Sequence, residues 1–331
     1  MRIQSIDAFR IVAAFLVVSL HVNWPVESIG AVMGDICRIA VPYFFVVSGY
    51  FYKPEKTWST IKRLLKYTLI AVVVYLLVEG YMYGSPSYIS KEISVVGNYR
   101  FWIGNVVPFC PVAWYLASYI YVLVISYFVK KRKIQYLLGV ASFLFALLSG
   151  PYFKVLSDGE VDSLMWNCCF LSSYCWFALG IFMRDNAEIK RLQTASGGGI
   201  NTILICCFII SLISIPVEHW ILKYITGTSV SGTTFVFTLT AVFSLFVLLL
   251  RFPLWGAAFK PGKLPLFVFL SHVAINYILV SLFWPTKFDL PHQALIHFNS
   301  PQLFINNIIV FALACLIYYA INRITNIVKF N

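Results

Sequence analysis

Long apolar runs separated by short polar turns recur along the whole chain. They fall near 6–24, 28–52, 64–83, 113–129, 134–150, 164–183, 199–217, 230–251, 264–285 and 301–322. A hydrocarbon core about 30 Å thick is crossed by roughly twenty helical residues, so each run is a candidate transmembrane helix. The pattern predicts an all-α, polytopic membrane protein with ten spans in a single transmembrane domain over 1–331. No soluble domain and no repeat of fixed period stands out.

Basic residues orient the spans. With a cytoplasmic N-terminus, the outer loops hold only Lys91, Arg100, Lys154, Lys223 and Lys287. Arg10 and Arg38 lie inside spans, and every other Lys or Arg falls in an inner segment. By the positive-inside rule both termini are expected in the cytoplasm. Acidic Asp158, Glu160, Asp162, Glu218 and Asp289 fall outside on the same map. The loop 84–112, aromatic and punctuated by Pro and Gly, is the longest outer one and a candidate cap over a cavity. Ser196-Gly197-Gly198-Gly199 lacks the ending of a phosphate loop and reads as a flexible inner linker.

Composition agrees and removes other classes. Of 331 residues, 60% are hydrophobic and 11% charged, far from the balance of a soluble domain. The net charge of +12 is spread over turns instead of one face, which argues against nucleic-acid binding. Trp24-Pro25-Val26-Glu27 is wrong for signal cleavage, so the first span is expected to be retained. The eight cysteines form no metal-ligand spacing and read as small core hydrophobes; metal sites and disulfides are not expected.

Charge inside an apolar span marks function by default, because it is costly there. The first span carries Asp7, Arg10 and His21. Asp7 and Arg10 are helical neighbours. Arg10 and His21 differ by three turns plus roughly 20° and so share a face. The second span carries Asp35, Arg38, Pro42, Ser48 and Tyr50, with Asp35 and Arg38 again three apart and Pro42 a candidate kink. His21 lies roughly 22 Å above Ile6, and Arg38 roughly 20 Å above Phe51. Arg10 and Ser48 lie about 6 Å and about 5 Å above the same inner edge. Two polar layers are therefore expected, Arg10 with Ser48 near the cytosol and His21 with Arg38 deeper.

A histidine beside an arginine suits proton transfer next to an anionic or carbonyl group, with arginine stabilising the negative charge. The same pair equally suits binding of a carboxylate without chemistry. Trp114 and Tyr115 open the fourth span at the outer interface, either as an aromatic belt or as a cavity lining. His272, beside Ser271, sits in the first half of the ninth span. Glu79 reads as interface-exposed, and His219, His292 and His297 as solvated residues of outer loops.

Arg10 and His21, the run Val41-Pro42-Tyr43-Phe44-Phe45 with Ser48-Gly49-Tyr50-Phe51, Trp114-Tyr115-Leu116 and Phe269-Leu270-Ser271-His272 together resemble the acyltransferase-3 family. The resemblance runs in order over nearly the whole chain. It implies transfer of acyl groups from a cytosolic acyl-CoA, such as acetyl-CoA, to a cell-envelope glycan or other acceptor. It also implies that Arg10 and His21 are essential, in a multi-pass protein of the bacterial cytoplasmic membrane. Phe-Leu-Ser-His stands where Tyr-Leu-x-His is commoner.

Ile6-Asp7-Ala8-Phe9-Arg10 through His21, and Cys37-Arg38-Ile39-Ala40-Val41-Pro42-Tyr43-Phe44-Phe45, also resemble the N-terminal membrane domain of vancomycin-resistance serine racemases. That likeness implies recognition or import of L-serine for a cytoplasmic pyridoxal-phosphate racemase domain, which this chain has no room to contain. Arg10 or Arg38 would then hold the serine carboxylate, and Asp7 or Asp35 the ammonium. In the enzyme reading Arg10 faces the acyl donor and His21 is the general base, with Asp7, Asp35, Arg38, Ser48, Tyr50, Trp114, Tyr115 and His272 as candidate binding residues. No cofactor is expected in the chain itself.

Overall fold

The computed structural model describes residues 3–22, 24–25, 27–83, 102–103, 110–156, 170–194, 198–227, 234–252, 262–283 and 306–330. Most of the loop 84–112, together with Asp158, Glu160, Asp162, Ser196, Gly197, Lys287, Asp289, His292 and His297, lies outside the described residues. Among those described, all regular structure is helical. The longer helices are α1 (Gln4–His21), α2 (Glu27–Cys37), α3 (Ala40–Tyr50), α4 (Thr57–Tyr83), α5 (Ala113–Phe128), α6 (Arg132–Leu148), α7 (Phe170–Asp185), α8 (Ala187–Thr194), α9 (Gly198–Thr226), α10 (Val236–Arg251), α11 (Leu264–Phe283) and α12 (Asn307–Phe330), with single turns at Pro54–Lys56 and Phe153–Leu156.

Among the described residues, five segments are long and apolar enough to cross a membrane: α1, Val32–Tyr50, α9, α11 and Asn307–Thr325, while α5 and α10 are shorter apolar helices. Their outer faces fit a lipid solvent. Along α9, Ile203, Ile209, Ile210 and Ile213 are exposed, an apolar surface too continuous for a water-facing helix. α1 sits at the centre, packed against α2, α3, α10, α11 and α12. Its Ala13, Ala14, Val17 and Val18 are buried, and such small side chains let the surrounding helices approach closely.

The second apolar run is not one kinked helix. α2 ends at Cys37 and α3 begins at Ala40. Pro42 explains the position of the break, because it has no N–H to donate to the carbonyl four residues back, at Arg38. The chain tightens instead, with Arg38 N bonded to Asp35 O at 3.2 Å and Ile39 N to Ile36 O at 3.3 Å. Pro42 then sits in the first turn of α3, where a missing N–H costs nothing.

α3 is held against α7 by a backbone crossing that only glycine permits. A Cβ on Gly49 would lie 2.0 Å from the Phe177 carbonyl oxygen, and one on Gly180 would lie 2.1 Å from that of Val46. At the end of α7, Arg184 Nη1 donates to Tyr52 O at 2.6 Å. Asp185 pairs with Arg184 at 2.7 Å and with Arg132 of α6 at 3.0 Å. Burial acts to raise the Asp185 pKa, but hydrogen bonding and charge from Arg184, with the charges of Arg132 and Lys190, hold it below the usual carboxylate value.

α9 corrects the expected outer loop after residue 217. It runs through Pro216 to Thr226, so Glu218 and His219 are helical and lie within the bundle. Glu218 is 7% exposed. It accepts from Tyr152 Oη at 2.5 Å and from the N–H groups of Val236 and Phe237 at 2.8 and 3.1 Å. Those are orphan donors in the first turn of α10, where a carboxylate also meets the positive end of the helix dipole. The cysteines divide: Cys37, Cys110 and Cys175 are buried, whereas Cys206 and Cys207 face outward from α9 and are not core residues.

Candidate functional site

A cavity of about 310 Å³ opens where α1, α3, α4, α5 and the start of α11 meet. Arg10 reaches it from α1 and Ser48 from α3. α4 contributes Thr60, Arg63, Leu64 and Tyr67, the i, i+3, i+4, i+7 face of one helix. α5 contributes Tyr115 and Tyr119, and Lys263 and Phe269 come from the start of α11. All the charged residues of this lining are cations: Arg10, Arg63 and Lys263. Arg10 is paired with Asp7 at 3.3 Å. Arg63 and Lys263 have no carboxylate partner among the described residues. The Ser48 hydroxyl donates to Phe44 O at 2.8 Å and interacts with both Tyr115 and Tyr119.

Tyr115 settles one of the sequence alternatives. It is 7% exposed, and its ring lies 4.9 Å from that of Phe45 and 4.8 Å from that of Phe269. It lines the cavity and is no part of an exposed aromatic belt. Trp114 packs beside it with ring centroids 6.2 Å apart, but is not in the cavity lining. Tyr50 also lies apart from the lining, with its ring 5.2 Å from Phe246.

From this cavity α1 and α11 run side by side in the same direction. Each has a cation at its cavity end, Arg10 on α1 and Lys263 just before α11, and an imidazole further on, His21 and His272. Helical rise puts His21 about 16 Å beyond Arg10, and His272 about 14 Å beyond Lys263. The two imidazole rings meet with centroids 5.3 Å apart and planes inclined by 35°. Phe269 lines the cavity and lies 6.2 Å, ring to ring, from His272, which makes it the boundary between cavity and imidazole pair. Ser19, just before His21, fastens this end of α1: it accepts from Asn307 Nδ2 at 2.7 Å and donates to Phe15 O at 2.9 Å.

His272 is wholly buried. Its Nδ1 is 2.8 Å from Phe269 O and 3.2 Å from Val268 O. Carbonyl oxygens only accept, so Nδ1 carries the proton and, in the neutral ring, Nε2 carries the lone pair. Nε2 is buried with no hydrogen-bond partner among the described residues.

Asp35 and Arg38 form a separate cluster. Arg38 Nε is 3.3 Å from Asp35, and the guanidinium lies 5.7 Å from the Phe235 ring centroid. His219 Nδ1 is 2.8 Å from both carboxylate oxygens of Asp35. The structure thus brings Arg10, Asp7, Ser48 and Tyr115 together, His21 with His272, and Asp35 with Arg38. Sequence reasoning missed Arg63, Lys263, Tyr119 and His219 as site neighbours. For Arg63 the signal was present in the helical spacing of Thr60, Arg63, Leu64 and Tyr67. For His219 nothing in the sequence announced that its helix continues past Pro216.

Residues 3–323 match the acyltransferase-3 family, described as an acyltransferase domain. The chain belongs to this family. It is similar to a serine/alanine racemase of Enterococcus gallinarum, with 27% identity over 312 residues covering 82% of this chain and 40% of the relative. It is also similar to an amino-acid racemase of Enterococcus faecalis, 25% identical over 57% of this chain and 29% of the relative. A second such similarity, 33% identical, covers 23% of this chain and 12% of the relative. The chain therefore spans less than half the length of each of these racemases. No solved structure matches it.

Proposed function

We propose that the chain is a ten-span acyltransferase of the bacterial cytoplasmic membrane, with both termini in the cytoplasm, that moves an acyl group from a cytosolic acyl-CoA to an acceptor hydroxyl. The observation that carries this reading is the cavity: Arg10, Arg63 and Lys263 line it and, among the described residues, no carboxylate does. Such a surface suits a polyanion such as the phosphates of CoA. The parallel course of α1 and α11 agrees with the topology, since the first and ninth of ten alternating spans point the same way.

In this mechanism the cations hold the donor phosphates and the thioester arm runs past Phe269 towards His21. His21 takes the proton of the acceptor hydroxyl as its oxygen attacks the thioester carbonyl. The ester C–O bond forms, the C–S bond breaks, and the proton passes from the imidazolium to the departing thiolate. Because Arg10 and His21 lie about 16 Å apart along α1, they act on different parts of the donor, Arg10 on its charge and His21 at its reacting end.

A second reading draws support from the racemase similarity over 82% of the chain: a module that recognises or imports L-serine for a cytoplasmic pyridoxal-phosphate racemase domain. Its candidate acids are already engaged. Asp7 is bound by Arg10, and Asp35 by Arg38 and His219, so a serine ammonium would have to displace a cation. The deciding experiment measures thermal stabilisation of the purified protein by acetyl-CoA, L-serine and D-serine, together with CoA thiol release. Stabilisation by acetyl-CoA that is lost in Arg63→Ala supports acyl transfer. Saturable stabilisation by serine alone overturns it in favour of the second reading.

A further inference from the structure

The turn of α11 that carries His272 is bonded from outside its own ladder, and what this implies rests on the acyl-transfer reading. In an α-helix each carbonyl accepts the N–H of the residue four positions on. Here three successive carbonyls also accept a side-chain proton. His272 Nδ1 donates to Val268 O and Phe269 O. The next, Leu270 O, accepts from Tyr75 Oη of α4 at 3.2 Å. The same hydroxyl accepts from Ala274 N at 3.2 Å. Leu270 and Ala274 are i, i+4 partners, so the phenol spans one rung of the ladder at both ends. Tyr75 is wholly buried, and a buried phenol places its hydroxyl against a partner. α11 packs against both α1 and α4. From one side the ring of His21 lies 5.3 Å from that of His272, and from the other Tyr75 grips the same turn. Along α4, Tyr75 lies about 18 Å beyond Arg63. One helix therefore lines the cavity at its inner end and holds the imidazole layer further on.

We propose that Tyr75 is a positioning residue for acyl transfer: by bridging Leu270 O and Ala274 N it fixes the turn that sets His272 against His21. The His272 ring is then the wall that holds the general base in line. Tyr75 is not in the cavity lining; it acts through His272, and its hydroxyl keeps its proton throughout. A reacting group displaced by about 1 Å can lose about 10²-fold in rate, so slack in this turn shows as a fall in kcat. Donor binding at the cavity is untouched. Removing the hydroxyl costs the fold little, because Leu270 O and Ala274 N remain each other's helical partners.

The test uses the full chain in proteoliposomes, with acetyl-CoA as donor and glycerol as the hydroxyl probe, reading CoA thiol release per folded molecule. Tyr75→Phe keeps the ring and removes the bridge. It is expected to lower kcat about tenfold, with KM for acetyl-CoA within about twofold and melting almost unchanged. His272→Leu fills the space without a ring and is expected to cost about as much. Combining the two lowers kcat by no more than about twofold further, since both act through one contact. A merely structural phenol would lower melting and leave kcat per folded molecule as it was. Unchanged kcat in either single variant, a loss carried by KM instead, losses that multiply in the double variant, or a Tyr75→Phe protein that does not fold overturns the assignment alone. Absence of thiol release by wild type overturns the acyl-transfer reading and this inference with it.

Discussion

Two groups of charge in this bundle are built in opposite ways. Around Asp35 the charges close on one another: Arg38 and His219 both reach the carboxylate, and Phe235 covers the guanidinium. Around the cavity they do not close. Three cations face it, Asp7 engages one of them, and Arg63 and Lys263 have no acid among the described residues. Closure fits a cluster that holds α2 against α9, because buried charge is tolerated only when paired. An unbalanced cavity is poised for a ligand that brings the missing charge. Closed charge holds helices together here, and open charge is what the proposed acyl donor would meet.

The sharpest way to test that division starts at the imidazole pair. His21→Ala is expected to lower acyl transfer by about 10²–10⁴-fold, the usual contribution of a general base, with the melting temperature in detergent little changed. CoA thiol release per folded molecule measures it, and full activity in the variant defeats the assignment. Next in size, Asp35→Asn is expected to cost about 3 kcal/mol of stability by taking the carboxylate from Arg38 and His219. KM for acyl-CoA should stay unchanged, so a raised KM with normal melting would show that this cluster serves the ligand after all.

Gly180→Ala tests the crossing that carries α3, and with it Ser48, into the cavity wall. A Cβ 2.1 Å from Val46 O forces the helices apart, at an expected cost of about 2 kcal/mol, readable as a lower melting temperature. Arg63→Ala is the converse of Asp35→Asn: about a tenfold rise in KM for acyl-CoA, or about 1.4 kcal/mol of binding, with melting unchanged. Unaltered KM there would leave the cavity without its proposed ligand.

The smallest effect is at the end of α7. The Asp185 pKa is depressed in the folded protein. Its contribution is therefore present above the unfolded value of about 3.9 and lost as pH falls through the lower folded value. A partly exposed pair of this kind contributes no more than about 1 kcal/mol. Asp185→Asn should remove that part of the acid dependence of melting, and an identical pH profile in the variant would count against the pairing.

Much of the fold was legible because lipid imposes a simple rule on sequence. A spanning helix must be long and apolar, so ten runs stood out; each contains a helix among the described residues, and five described segments are long and apolar enough to cross. The i, i+3 pairs Asp7–Arg10 and Asp35–Arg38 were legible for the same local reason, since helical geometry alone makes them neighbours. Pro42 was a candidate kink in a single span; that the run instead breaks into two helices at Arg38 and Ile39 appeared only in the structure. The deeper polar layer came out differently. Arg38 joins Asp35 and His219, while His21 stands beside His272. Depth along a helix follows from residue number, but azimuth and neighbour depend on which helices pack together.

What the sequence determined by itself was therefore one-dimensional: a helical membrane chain, the residues that break its apolar runs, and the local pairs those residues form. The tertiary structure decided what lies across from what. It brought Arg63 of α4 and Lys263 beside α11 to Arg10, and set His272 against His21 from the far end of the chain. It drew Glu218 and His219 into the bundle by extending α9 through Pro216. The physical reason is that lipid rewards apolar length without distinguishing one apolar helix from another. Partner choice rests on small-residue crossings such as Gly49 with Gly180 and on buried polar groups finding mates, and both become visible only when helices far apart in sequence are packed side by side.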